Sequence, residues 1–158
     1  MAGLVATPSV SQAENAIVIA SDGWFPGIAL REVREDRVLD GTITTSRLRR
    51  AIAFSVAQVN NELRTWKAEQ IQATGAATMD DVDAEVVDEK SVKTEAYFRA
   101  VCAYTEAEIL ESQRGYDLTS EGQRRMEVLG ERIGEARRNA FWAIQDIQDL
   151  PHTVSGLV

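Results

Sequence analysis

Apolar residues recur at steps of three and four from Leu48 through Ile52, Val56, Val59 and Leu63 to Trp66. That spacing lays one stripe along a helix. Thr44 or Thr45 can cap its start, since a threonine hydroxyl accepts a backbone N–H left over in the first turn. The pattern carries to about Gln72, a rod of roughly 40 Å, and Gly75 ends it. A second pattern spans roughly Glu89 to Arg114, with Val92, Ala96, Ala100, Ala103, Ala107 and Leu110 on its stripe and Tyr97, Val101 and Tyr104 beside it. Its alanines allow another helix to approach closely, and Gly115 closes it. A third pattern starts at Thr119 or Ser120 and reads Met126, Leu129, Ile133, Ala136, Ala140, Ala143 and Ile147. Phe141, Trp142 and Ile144 widen its apolar face before Pro151 stops it. Gly130 and Gly134 lie inside this helix, at a cost of about 1 kcal/mol each relative to alanine; they are read as marks of close contact with another helix.

A shorter helix is predicted over residues 28–36, followed by a turn at Leu39-Asp40-Gly41-Thr42. Short loops between long amphipathic helices imply antiparallel neighbours. The expected fold is therefore all-α: an antiparallel bundle of three long helices plus one short N-terminal helix, with extended N- and C-terminal arms. Residues 1–21 form the N-terminal arm, 22–150 the helical domain and 151–158 the C-terminal arm. Gly3, Pro8 and scattered Ser, Thr and Ala residues give the first arm no stripe, although Ala16-Ile17-Val18-Ile19 reads as a short strand or a docking plug. Thr153, Val154, Leu157 and Val158 make the other arm apolar and β-branched, suited to adding a strand to another protein's sheet.

Between these segments, Trp24 and Phe25 sit among turn formers, Asp22-Gly23 before them and Pro26-Gly27 after. Two large rings kept there must bury against something, either as a core anchor or as a hot spot across a subunit boundary.

Composition narrows the function. The chain has 158 residues, 44% hydrophobic and 27% charged, which suits one folded domain. No apolar run approaches the roughly 20 residues of a membrane helix. The stretch Ala16 to Ala20 is too short for a signal-peptide core, so synthesis and folding in a cytoplasm are expected. Net charge is -8, from 25 acids against 17 bases, which opposes nucleic-acid binding unless the bases cluster. They do so at Arg47, Arg49 and Arg50, and again at Arg124, Arg125, Arg132, Arg137 and Arg138. Such clusters are either solvated faces paired with nearby acids or contact surfaces for an acidic neighbour. Asp80, Asp81, Asp83, Glu85, Asp88 and Glu89 make residues 76–89 an exposed acidic connection that lacks the glycine and spacing of a calcium loop.

Candidate chemistry is sparse. The single cysteine, Cys102, lies within a helical stripe and reads as a buried apolar residue. The single histidine, His152, lies in the C-terminal arm, so neither a histidine triad nor a Cys–His dyad is expected. No phosphate-binding glycine loop and no Cys or His pair with metal spacing is present. The expectation is a protein that is not an enzyme and has no catalytic, cofactor-binding or metal-binding residues. A compact helical core with two arms suggests assembly instead.

Particular blocks sharpen that reading. They are Asp22-Gly23-Trp24-Phe25-Pro26, Leu39-Asp40-Gly41-Thr42-Ile43-Thr44 with Arg47-Leu48, and Val59-Asn60-x-Glu62-Leu63-x-x-Trp66. Tyr97-Phe98-Arg99-Ala100-Val101, Thr119-x-Glu121-Gly122-Gln123 and Arg137-Arg138-x-Ala140-x-Trp142-Ala143-Ile144-x-Asp146-Ile147 complete the set. In this order and spacing, from about Asp22 to Ile147, the chain resembles the head completion proteins of temperate contractile-tailed phages. The resemblance implies a structural virion protein, made in the host cytoplasm and placed at the head–tail neck. Residues 22–150 would be a connector domain that docks under the portal protein after DNA packaging, helps retain DNA and forms the site for tail attachment. Its implied partners are the portal, a tail terminator or stopper protein, and further copies of itself in a twelve-fold ring. DNA would pass through the channel without specific recognition, and no membrane is involved. Trp24, Phe25, Arg124, Arg132, Arg138, Thr153, Val154, Leu157 and Val158 are the candidate portal or subunit contacts. The alternatives are a stopper or tail-completion protein of the same neck and, from another class, a helical DNA-binding regulator.

Overall fold

The computed structural model describes residues 12–37, 39, 41–114 and 120–152. Along the chain run strands β1 (Val18–Ile19) and β2 (Ile28–Ala29), then helices α1 (Leu30–Asp36), α2 (Thr45–Glu62) and α3 (Arg64–Thr74). Strands β3 (Val86–Val87) and β4 (Lys90–Ser91) precede helices α4 (Val92–Ser112) and α5 (Ser120–Ile147). The protein is thus mostly helical, with two small antiparallel hairpins that the periodicity does not signal.

Thr44 caps α2: its side-chain oxygen accepts the Arg47 backbone N–H at 3.3 Å. Every member of the first stripe, Leu48, Ile52, Val56, Val59, Leu63 and Trp66, is buried. The expected single rod is two helices, however, separated at Leu63, whose backbone leaves the helical range (φ -89°, ψ 3°). Helical bonding continues on either side, since Leu63 N–H bonds to Val59 O at 3.0 Å and Lys67 N–H to Leu63 O at 2.8 Å. Just beyond it Trp66 meets Trp24 edge to face at 5.9 Å, and Lys67 pairs with Asp22. Gly75, at φ +71°, supplies the left-handed C-cap of α3.

α4 is the central helix, with α2 antiparallel on one side and α5 antiparallel on another. Burial runs around most of its surface: Ala96, Tyr97, Ala100, Val101, Cys102, Ala103, Ala107, Ile109 and Leu110 are all inside. A helix covered on two sides shows no single apolar stripe. Val92, expected at the head of the stripe, is 37% exposed. Lys93, almost fully buried, donates from Nζ to the Ile147 carbonyl at 2.8 Å and to Asp149 Oδ2 at 2.6 Å. A cation there satisfies the carbonyl end of α5 and suits its dipole.

Residues 12–19, expected in the extended arm of residues 1–21, pack onto the domain instead. Gln12–Ala16 forms a 3-10 turn, and β1 pairs with β2 so that Val18 lies opposite Ala29 and Ile19 opposite Ile28. The cause is a buried ion pair. Arg34 donates from Nε to Glu14 Oε2 at 3.0 Å and from Nη2 to Glu14 Oε1 at 2.9 Å, and also to the Ile43 carbonyl at 3.1 Å. Thr45 donates a further bond to Glu14. Gly27 permits a close approach here, because a Cβ would lie 2.7 Å from Val18 Cγ1 and would displace that side chain.

The acidic connection is likewise more ordered than a plain loop. Ala76, Met79 and Val82 plug it into the core, and Met79 N–H bonds to the Trp24 carbonyl at 2.8 Å. Thr78 and Asp81 form a capping box at the 3-10 turn Met79–Asp81. The chain then rises into the β3–β4 hairpin, whose turn residues Asp88 and Glu89 take φ +51° and +62°. Such turns favour Asn-Gly, and each left-handed non-glycine residue costs about 1 kcal/mol.

Candidate assembly surfaces

Trp24 and Phe25 are core residues, 6% and 4% exposed. Asp22 Oδ1 accepts the backbone N–H groups of Trp24 (3.0 Å) and Phe25 (3.4 Å), which sets the turn and drives both rings inward. Trp24 packs on Phe25 edge to face at 4.9 Å and donates its indole N–H to the Ala76 carbonyl at 3.1 Å. Phe25 stacks on Tyr97 at 5.1 Å with an interplanar angle of 8°, and Lys67 Nζ lies 5.3 Å from both the Trp24 and Phe25 rings. The hydrogen bond from Lys67 holds the Asp22 carboxyl below its ordinary value against the opposing effect of burial, with help from the two backbone N–H groups. The hot-spot alternative is therefore corrected: these rings are consumed within the subunit and offer no surface to a partner.

The arginines divide differently. Arg132 is exposed and pairs with Glu106 at 3.4 Å, while Arg137 pairs with Glu111 at 3.0 Å. Glu106 also accepts from Arg37 at 3.0 Å, so one carboxylate ties α4 to both the end of α1 and α5. Arg138 lies over the Trp142 ring at 5.5 Å. Arg124 is exposed near the start of α5, beside Glu121, Arg125, Val128 and Leu129. Thr153, Val154, Leu157 and Val158 lie outside the described residues. The chain before them is pinned: His152 stacks on Trp142 at 5.3 Å with an interplanar angle of 6°, and its Nε2 lies 2.6 Å from Asp146 Oδ1.

Sequence reasoning overlooked the apolar groups that reach solvent. Phe54 is 59% exposed, Val86 64% and Val87 56%. The signal for Phe54 is positional, since it falls two residues after Ile52, on the side of α2 away from the buried stripe. For the valines no signal exists, because a two-residue strand is too short to show a period. Gly130 and Gly134, read as marks of a close helix contact, have nothing within 4 Å of where a Cβ would stand. Their cost therefore has no explanation within the subunit.

Chemistry finds no foothold among the described residues. No group of His, Cys, Asp and Glu could hold a metal ion, and no helix is long and apolar enough to cross a membrane. Cys102 is fully buried, and burial, reinforced by the nearby Asp36 charge, pushes its thiol up to about 12. It is a core residue, as its helical setting implies.

The chain belongs to the phage head completion protein (GPL) family, whose model matches residues 19–158. It is also similar to the head completion/stabilization protein of Escherichia phage P2, with 35% identity over 137 residues, covering 87% of this chain and 80% of that protein. No solved structure matches the chain. The family consists of structural phage proteins rather than enzymes, and membership makes this chain a virion component that acts by contacting other proteins of the particle.

Proposed function

We propose that this protein is the connector adaptor of a phage neck. It docks under the portal ring once DNA is packaged, forms a ring of its own, helps retain the DNA and presents the site where the tail attaches. The observation that carries this reading is the pinned base of the C-terminal arm. The Trp142–His152 stack and the His152–Asp146 contact tie His152, the residue just before that arm, to α5. The apolar, β-branched sequence that follows is suited to strand addition on a portal subunit, with backbone hydrogen bonds supplying the affinity. The net charge of -8 supports a channel wall along which DNA slides without sticking.

A DNA-binding regulator is disfavoured by the pairing of the α5 arginines. Arg125, Arg132 and Arg137 are each engaged with a carboxylate of the same subunit, and α5 also carries Glu127, Glu131, Glu135 and Asp146, so its basic residues are interspersed with acids. The test is to mix the purified chain with portal rings and image the product by electron microscopy. The expected result is a second, coaxial ring, lost on deletion of residues 153–158 while the bundle still folds. Absence of binding by demonstrably folded protein would overturn the adaptor reading in favour of a stopper or tail-side role.

A further inference from the structure

We infer that subunits of this protein join head to tail, with the β3–β4 hairpin of one copy seated on the Phe54 groove of the next. The inference rests on the connector reading and deepens it by naming the two faces. Arg47, Arg50, Phe54, Glu108, Ile109 and Ser112 line a groove between α2 and α4. From Thr45 to Asn61, α2 carries Arg47, Arg49 and Arg50 and not one acid. Phe54 stands 59% exposed one turn beyond Arg50, with Glu108 of α4 as the one acid that lines the groove. An isolated exposed phenylalanine is unremarkable, but one set in a groove with a single sign of charge on its helix has the makeup of a contact surface.

The complementary surface lies elsewhere on the same chain. From Asp80 to Glu89 the sequence holds Asp80, Asp81, Asp83, Glu85, Asp88 and Glu89 with no base. Val86 and Val87 project from this acidic segment at 64% and 56% exposure. Lys90, the first base after it, is already paired with Glu95 at 3.3 Å. Asp88 and Glu89 hold the hairpin in a left-handed turn that local preference does not favour. The apolar pair with its acidic flanks thus matches an apolar ring flanked by Arg47 and Arg50, which outnumber the groove's Glu108.

The two surfaces cannot satisfy each other within one subunit. Arg47 donates to Ser112 Oγ at 2.5 Å, which places the groove at the last turn of α4, whereas β4 leads directly into the first turn. The 21 residues of α4 separate them by roughly 30 Å. Unlike, mutually complementary faces at opposite ends of a molecule produce a heterologous contact, which closes into a ring when its rotation allows.

The test places single cysteines on the full chain. Phe54→Cys and Val87→Cys variants, carrying different affinity tags, are mixed and treated with a short flexible bis-maleimide. The reaction is run on the concentrated protein and on phage heads assembled with both variants. Cys102 is fully buried, and the unsubstituted chain serves as its control. The expected product is a mixed dimer absent from either variant alone. Equal product from Phe54→Cys alone would mean a symmetric contact and would overturn the inference. Heads that contain the protein but yield no mixed dimer also overturn it, while the connector reading survives. Heads that exclude even the unsubstituted chain remove the connector reading and this inference with it. A charge swap supplies the second arm. Arg50→Glu should cut the mixed product about tenfold, and Asp83→Lys with Glu85→Lys on the partner copy should restore it. Those two positions lie outside the left-handed turn, so the hairpin keeps its backbone, and failure to restore would sink the pairing.

Discussion

The two ends of the α4–α5 pair are built from different materials. At one end Trp24, Phe25, Trp66 and Tyr97 interlock, and five elements converge through indole, backbone and ammonium hydrogen bonds. At the other end Ala107, Leu110, Ile133 and Ala136 form a separate small cluster with Leu129 against it, bordered by the Glu106–Arg132 and Glu111–Arg137 pairs. Large rings remove far more apolar area from water than alanines do. The aromatic end therefore holds the global stability, and the alanine end opens at lower cost.

The largest effect is expected from Phe25→Ala, at about 4 kcal/mol, with Ile133→Ala costing about 2 kcal/mol. Urea unfolding measures both, and hydrogen exchange should show the Ile133 change confined to α5 and the facing turn of α4. Equal costs spread over the whole chain would erase the contrast between the ends.

Glu14→Gln comes next, at about 2 kcal/mol, because it leaves the Arg34 guanidinium without its counter-charge. The pair is closed to water yet shallow, which keeps the figure below that for a deep ion pair. Burial raises the Glu14 pKa, but the hydrogen bonds from Arg34 and Thr45 and the Arg34 charge outweigh it and hold the carboxyl below its ordinary value. Asp22 is held low as well, by Lys67. For a depressed acid, stability is present above the unfolded pKa, about 4 for these groups, and is lost as pH falls through the folded value. Urea midpoints should therefore drop below about pH 4, and less steeply in Glu14→Gln. A pH response unchanged by the substitution would assign the acid lability elsewhere.

A gain is expected from the weak end. Gly130→Ala and Gly134→Ala should each add about 1 kcal/mol to the isolated chain, because both lie within a helix with open space around them. Thermal melts check this, and a gain in stability accompanied by a loss of head completion would show that a partner approaches the glycines. The smallest effect belongs to Arg137→Ala, under about 0.5 kcal/mol, since its pair with Glu111 is half-exposed and screened by solvent.

Within the fold, periodicity located what is regular. The stripe ending at Trp66 lies in the core as its spacing requires, as does the third from Ile133 to Ile147, whereas Met126 and Leu129 at its start are only partly buried; Thr44 and Gly75 act as caps. It failed where few residues carry the information. The break at Leu63 has no proline or glycine to announce it, and the contact of Trp66 with Trp24 beside it joins residues far apart in sequence. Glu14 and Arg34 are 20 residues apart, and nothing in either neighbourhood says that they meet. For the surfaces, the arginine clusters were legible as charge, but their partners were not. Arg124, Arg132 and Arg138 share one helix, yet one borders a groove, one pairs with Glu106 and one covers Trp142.

The sequence by itself determined that this protein is helical, that its one cysteine lies in the core and that its family is that of phage head completion proteins, because periodicity, composition and ordered motifs are local or cumulative properties of a chain. Only the tertiary structure decided that Trp24 and Phe25 turn inward, while Phe54, Val86 and Val87 face solvent. The physical reason is competition for a limited interior. A large apolar side chain prefers burial wherever it stands, and which ones obtain it depends on how helices distant in sequence come to pack.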